Sequence, residues 1–417
     1  MVPKIAVIGA GIAGIHCSSE LIKQGYQVDL YEKSGKVGGR MKTDLIKGFQ
    51  IDHGFHVLQT GYEFTQSVIN YDKLEAKAFE PGALVIRSST RRNKIWRLSD
   101  PFRRPFSSIK DAFGFFASPF DMLKVLLMRR KITRIPLSEI FDEGELSTEQ
   151  WLSEQGFSQG FINRFFYPLF SGIFLESELR TNERLFKFVF RTMSKGDMVL
   201  PKNGIESIPL LLSKRIPKQN IKLNSEVELV SQNLIKVNGA DIEYDGVVIA
   251  YDNRPIQSKK HVWTLYFSAD KSPFPSKHIM LNSEIRDFDN LISYVSVPSD
   301  IQPSYSPAGK SLICITVLGE KCEQLGLHLE NEILSKVKSE LLKWYGEDTK
   351  SWESIATQHI IKALPETDSS IFRKSISKVD DGFFRCGDYM MHGSVEGTLI
   401  SARNTVEEIV RSIPLSQ

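Results

Sequence analysis

Lys4-Ile5-Ala6-Val7-Ile8 runs directly into Gly9-Ala10-Gly11-Ile12-Ala13-Gly14, an apolar β-branched run followed by G-x-G-x-x-G and a helix-periodic segment. That order predicts strand, tight turn and helix. Gly9 and Gly11 let the backbone turn sharply and approach a pyrophosphate. Gly14 lets the helix pack close to the strand, and the helix N-terminus at Ile12 and Ala13 offers unpaired N–H groups to the phosphates. A second strand, Gln27-Val28-Asp29-Leu30-Tyr31, ends at Glu32. It lies about twenty residues on, where a carboxylate accepts hydrogen bonds from a ribose. The full βαβ context makes this a dinucleotide-binding start rather than a chance glycine pattern.

After Glu32 come Lys33-Ser34-Gly35-Lys36-Val37-Gly38-Gly39-Arg40-Met41 and Phe49-Gln50-Ile51-Asp52-His53-Gly54-Phe55. Near the other end stand Phe383-Phe384-Arg385-Cys386-Gly387-Asp388 and Ser394-Val395-Glu396-Gly397-Thr398-Leu399-Ile400-Ser401-Ala402-Arg403. Together these resemble the opening and closing flavin motifs of the FAD-dependent amine oxidase, protoporphyrinogen oxidase and phytoene desaturase superfamily. Leu200-Pro201-Lys202-Asn203-Gly204 and Asn224-Ser225-Glu226-Val227-Glu228 fall where that family has its middle FAD segment.

The resemblance implies an α/β architecture: a Rossmann-like FAD-binding domain interleaved with an α+β substrate domain. The expected FAD domain comprises 1–88, 200–255 and 362–417, and the substrate domain 89–199 and 256–361. It further implies non-covalent FAD, since no family-type cysteine for flavin attachment stands out. Expected contacts are Gly9, Gly11, Ile12, Ala13, Gly14, Glu32, Lys33, Gly38, Gly39, Arg40, Gly54, Val227, Gly387, Asp388, Val395, Glu396 and Gly397. Asp388 would bond the ribityl or pyrophosphate part, Val227 would meet the adenine through its backbone, and the N–H groups around Glu396 and Gly397 would face the flavin pyrimidine edge. The closing motif also makes mechanical sense by itself: a short buried strand, a Gly387-Asp388 turn, then an amphipathic helix from Val395 whose N-terminus faces an electron-rich group. Otherwise, Gly387-Asp388 is only a turn and Glu396 a first-turn acid complementing the helix dipole. Arg40, with five fixed donors, suits a pyrophosphate or a flavin carbonyl. His53 and His56 form an HxxH on a loop, a spacing more often structural than chemical, and no catalytic residue is assigned.

With 417 residues, 41% hydrophobic and 25% charged, the chain has the make-up of a soluble two-domain protein. No run approaches the roughly 18 apolar residues of a membrane span, and no leader precedes the strand at Lys4, so the cytoplasm is the expected compartment. Cys17, Cys314, Cys322 and Cys386 show no metal-ligand spacing; Cys17 and Cys314 lie in apolar runs, as reduced, buried small hydrophobes do. A single G-x-G-x-x-G implies no second nucleotide domain for NAD(P)H. Electrons would then leave to oxygen, a quinone or another diffusible acceptor.

Asp245-Gly246-Val247-Val248-Ile249-Ala250 reads as a buried strand of the nucleotide sheet. Val262 to Ser268, Leu291 to Val297 and Ser311 to Leu318 read as substrate-domain strands, and 330–345 as a helix. From Arg91 to Arg134 there are twelve Lys/Arg and three Asp, against a whole-chain net charge of +3. Trp96, Phe102, Phe106, Phe113, Phe115, Phe116 and Phe120 are interleaved with them. Ser118-Pro119-Phe120-Asp121 predicts a helix start showing Phe120, Leu123 and Leu127 on one face and ending at Arg129-Arg130-Lys131. Such a segment either meets an anionic membrane surface or fills a core with its aromatics. No nucleic-acid motif accompanies the charge.

The implied activity is hydride transfer from a substrate C–H bond to flavin N5. Ala363-Leu364-Pro365-Glu366 resembles the desaturase branch, and no Trp/Tyr-rich run precedes the final Gly-Asp, so an apolar isoprenoid or carotenoid-like substrate is expected first. A tetrapyrrole or amine oxidase, a flavin-dependent isomerase or mutase, and a non-catalytic flavin-binding protein remain as alternatives.

Overall fold

The computed structural model describes residues 1–87, 94–99, 118–142, 144–253, 260–366 and 383–415. The basic segment is therefore described only in part: Phe102, Phe106, Phe113, Phe115 and Phe116 lie outside the described residues.

A five-stranded parallel sheet forms the nucleotide unit. Its strands lie in the spatial order Ile221–Lys222, Gln27–Tyr31, Lys4–Ile8, Gly246–Ile249 and Phe384–Arg385. Ile5, Ala6, Val7, Val247, Val248 and Ile249 are fully buried. Continuous apolar runs, rather than alternating ones, suit strands covered on both faces. The helices Ile12–Lys23 and Val395–Ser412 pack against one another on this sheet. Ile15, Leu21, Leu399, Ala402 and Ile409 share its core.

The second unit is built on a seven-stranded sheet. The order is Glu353–Ile360, Val262–Ala269, Ser311–Leu318, Ile292–Ser296, Met280–Asn282, Gly82–Arg87 and Lys94–Ser99. Pairing is antiparallel except between Met280–Asn282 and Gly82–Arg87. Gly82–Arg87, expected in the nucleotide unit that was drawn to residue 88, thus belongs to this sheet. Its continuous apolar run, Ala83 to Ile86, carries no mark of which sheet it joins. The helix Glu330–Tyr345 covers one face through Ile333, Val337 and Leu341.

The other face meets an aromatic core. Phe161, Phe166, Phe170, Phe174 and Phe186, from the segments around Tyr167–Phe174 and Glu183–Lys195, pack there with Tyr266 and Tyr294 of the sheet. A small sheet, Leu58–Gln59 with Met198–Leu200 and Lys77–Ala78, lies between chain segments of the two units. All four cysteines are free and buried. No helix among the described residues is long and apolar enough to cross a membrane.

Candidate functional site

The recognition motifs converge at the carboxyl ends of the parallel strands, where open α/β sheets bind ligands. Gly9 follows Ile8, Glu32 follows Tyr31, Ala250 follows Ile249, and Gly387 stands two residues after Arg385. The turn is held by bonds from Gly9 N–H to Tyr31 carbonyl (2.8 Å) and from Gly38 N–H to Ala10 carbonyl (2.8 Å). Gly14 has no room for a side chain: a Cβ there would lie 2.0 Å from the Gly9 carbonyl oxygen. Gly11 and Gly39, 28 positions apart, meet backbone to backbone, since a Cβ on Gly39 would lie 3.1 Å from Gly11 Cα.

The helix opening at Ile12 has no side-chain cap at Gly11 and no acid in its first turn, although Ile12 and Ala13 are buried. Uncapped N–H groups at a sheltered helix start require an outside acceptor. A pyrophosphate supplies one.

Glu32 is fixed on both oxygens. Oε2 accepts from Ala10 N–H at 2.9 Å, and Oε1 accepts from Ser34 N–H (2.9 Å) and Ser34 Oγ–H (2.8 Å). Oε2, which accepts only the Ala10 N–H, keeps a lone pair for a ribose hydroxyl, whereas Oε1 is filled by Ser34. Ser225 N–H donates to the Glu32 carbonyl at 2.9 Å, which brings the Val227–Ser231 strand beside the expected adenosine end. Lys33 is exposed.

Arg40 pairs with Asp388 and donates to the carbonyls of Ala363 (3.2 Å) and Lys362 (3.4 Å). The Asp388 carboxylate beside it raises the guanidinium further above its ordinary value. Gly54 is held by the seven-stranded sheet. Its N–H donates to Gln358 Oε1 (3.0 Å), and its carbonyl accepts from the Tyr266 hydroxyl (3.3 Å).

The Glu396 side chain is held inside the protein. Its carboxylate is fully buried and accepts from Phe64 N–H (2.9 Å), Thr65 N–H (2.7 Å) and Thr65 Oγ–H (2.6 Å). It caps the helix Glu63–Val68, so any cofactor contact here is left to backbone groups. Ser394 caps the closing helix by accepting Gly397 N–H at 3.0 Å.

His53 Nε2 meets Asp44 at 2.6 Å, and His56 Nε2 meets the His53 carbonyl at 2.9 Å, so both rings are engaged locally. The sequence reading missed two features. Asp52, almost fully buried, accepts from Thr43 Oγ (2.6 Å), Ile205 N–H (3.0 Å) and the Tyr305 hydroxyl (2.8 Å), and burial raises its pKa. His392 is enclosed by Phe188 and Phe141, with ring centroids 4.4 and 5.4 Å away. Burial lowers its pKa to about 4, so the ring is neutral. Apart from Thr43, which faces Asp52 across the hairpin of Thr43–Ile46 and Phe49–Asp52, their partners lie too far away in the chain for a local pattern to reveal them.

Comparison with known proteins agrees with this geometry. Residues 12–410 match the model of the flavin containing amine oxidoreductase family. A zeta-carotene desaturase of Solanum lycopersicum is 27% identical over 184 residues, covering 40% of this chain and 30% of that protein. A 4,4'-diapophytoene desaturase of Staphylococcus aureus is 45% identical over 51 residues, 12% of this chain and 10% of that one. The aligned stretches thus span about a third or less of these curated relatives. An oxidoreductase structure from Methanosarcina mazei superposes with a TM-score of 0.71 at 17% identity, covering 97% of this chain and 100% of that one, which shows a shared fold. The chain belongs to the flavin-containing amine oxidoreductase family, and its cofactor is FAD.

Proposed function

We propose that this protein is an FAD-dependent desaturase or oxidase that removes hydrogen from an apolar, isoprenoid-like substrate. The observation that carries the reading is a partly open, apolar-walled cavity beside the seven-stranded sheet. Phe79, Phe161, Phe165, Phe170 and Phe190 line it together with Leu98, Leu169 and Ile279. Predominantly apolar walls select a ligand by shape and burial rather than by charge. Phe79 packs edge-on against Phe55 at 6.3 Å, and Phe55 packs against Tyr294 at 5.4 Å. The cavity wall therefore continues into the loop that carries Gly54, the expected flavin-side loop.

Bound FAD supplies the hydride acceptor. The chain's own groups hold it at Glu32 and Arg40, orient the apolar substrate by side-chain packing, and keep water from the reacting carbon. Desaturation removes one hydride and one proton from adjacent carbons and leaves a double bond; oxygen or a quinone takes the electron pair away. The desaturase relatives support an apolar substrate over an amine. The test is anaerobic bleaching of the bound flavin by a polyisoprene in detergent micelles, with a polyamine and a porphyrinogen as comparators. Bleaching by the polyisoprene, reversed by oxygen or a quinone, is expected. Bleaching by the polyamine alone would overturn the substrate class, and activity only after prior chemical reduction would indicate an isomerase.

A further inference from the structure

The helix Pro119–Arg134 has two different faces. One closes the cavity: Met122, Val125 and Arg129 line it, and Arg129 is anchored to the Ser194 carbonyl at 2.6 Å. The opposite face carries Phe120, Leu123 and Leu127, which are 75%, 52% and 59% exposed. The same face continues into Arg130, Lys131 and Arg134, all exposed. These six positions recur at helical spacing, so an apolar half is followed by a basic half along one side.

The only acid of this helix, Asp121, points away from that side. It is 2% exposed and is used by Ser118 Oγ (2.7 Å), Ser158 N–H (2.9 Å) and Ser158 Oγ (2.8 Å). A core role for Phe120, one of the two readings of the sequence, does not hold.

We propose that this outer face seats the protein on an anionic lipid bilayer, with Phe120, Leu123 and Leu127 in the acyl boundary and Arg130, Lys131 and Arg134 among the headgroups. Charge complementarity selects the occupant. Three exposed cations with no acid on their face suit a negative surface, and the apolar ridge ahead of them suits the interface beneath it. A second copy of this chain would instead bring the same three cations against themselves. Because the same helix lines the cavity with its inner face, docking would hold the cavity next to the bilayer in which an apolar substrate dissolves. This last point rests on the proposed apolar substrate; the docking itself does not.

The experiment uses the FAD-loaded protein in flotation with vesicles of phosphatidylcholine alone or with one third phosphatidylglycerol. Two variants, F120S/L123S/L127S and R130Q/K131Q/R134Q, are compared after thermal melting confirms that they fold. Flotation only with the anionic vesicles, weakening as salt rises, is expected, and removing three cations should lower partitioning by roughly a hundredfold. Both variants should still be bleached by substrate in micelles but lose bleaching by substrate supplied in vesicles. Absence of flotation by the parent protein would overturn the proposal even if micellar substrate bleaches the flavin. A dimer dissociated by F120S/L123S/L127S would overturn it in favour of self-association. If no apolar substrate bleaches the flavin in any form, the functional reading fails while flotation still decides the docking.

Discussion

Arg40 and Asp388, 348 positions apart, form an ion pair where the opening and closing motifs meet. Asp388 is nearly buried, and the Arg40 side chain is about half exposed and also engages two carbonyls. Arg40→Ala should lower FAD affinity by about 2 kcal/mol, the range of a charge-assisted hydrogen bond. Arg40→Lys should recover only part of it, because a point charge cannot reproduce the planar fork. Titration of the apoprotein with FAD, followed by flavin fluorescence, measures both.

Glu32→Ala should weaken FAD binding by about 1–3 kcal/mol, through loss of the ribose acceptor. It also frees Ala10 N–H and Ser34, so the melting temperature of the apoprotein serves as the control. Unchanged FAD affinity would remove Glu32 from the site.

Glu396→Gln should destabilise the fold by about 1–3 kcal/mol, because three donors lose a buried carboxylate and one meets an amide N–H₂ instead. Thr65→Val should cost less, since the two backbone donors stay paired. Urea unfolding of both variants checks the order. Equal stability of Glu396→Gln and the parent would contradict the capping role.

How far the sequence led differs between these residues for a physical reason. Gly9 to Glu32 is a local βαβ unit whose glycine spacing, strand pattern and terminal acid sit within thirty positions, so its structure was legible. Arg40 and Asp388 were each placed at the cofactor, but their pairing depends on strand order across the sheet. The partners of the Glu396 carboxylate, Phe64 and Thr65, were not legible because they lie on a short helix with no strong period. The period of residues 120–134 revealed the Phe120–Leu123–Leu127 face, but a period cannot say whether that face meets a core or solvent.

Acid should destabilise the protein between about pH 6.5 and pH 4. His392 and His16, 1% and 3% exposed, are both held near pKa 4 by burial. Above pH 6.5 each ring is neutral both folded and unfolded. As the pH falls through that value, the unfolded chain takes up protons that the folded one refuses, and stability drops until about pH 4. Each ring accounts for about 3 kcal/mol across this window. Melting curves of His392→Gln should show a shallower loss over the same range; an identical slope would mean that His392 is not buried as a neutral ring.

The cofactor assignment is tested most directly by the visible absorption spectrum of the purified protein, with the released small molecule identified after heat denaturation. An oxidised flavin spectrum and free FAD in the supernatant, both lost in Gly11→Val, are expected, since a side chain at Gly11 would occupy the pyrophosphate's space. A colourless protein that also fails to take up added FAD would contradict the account.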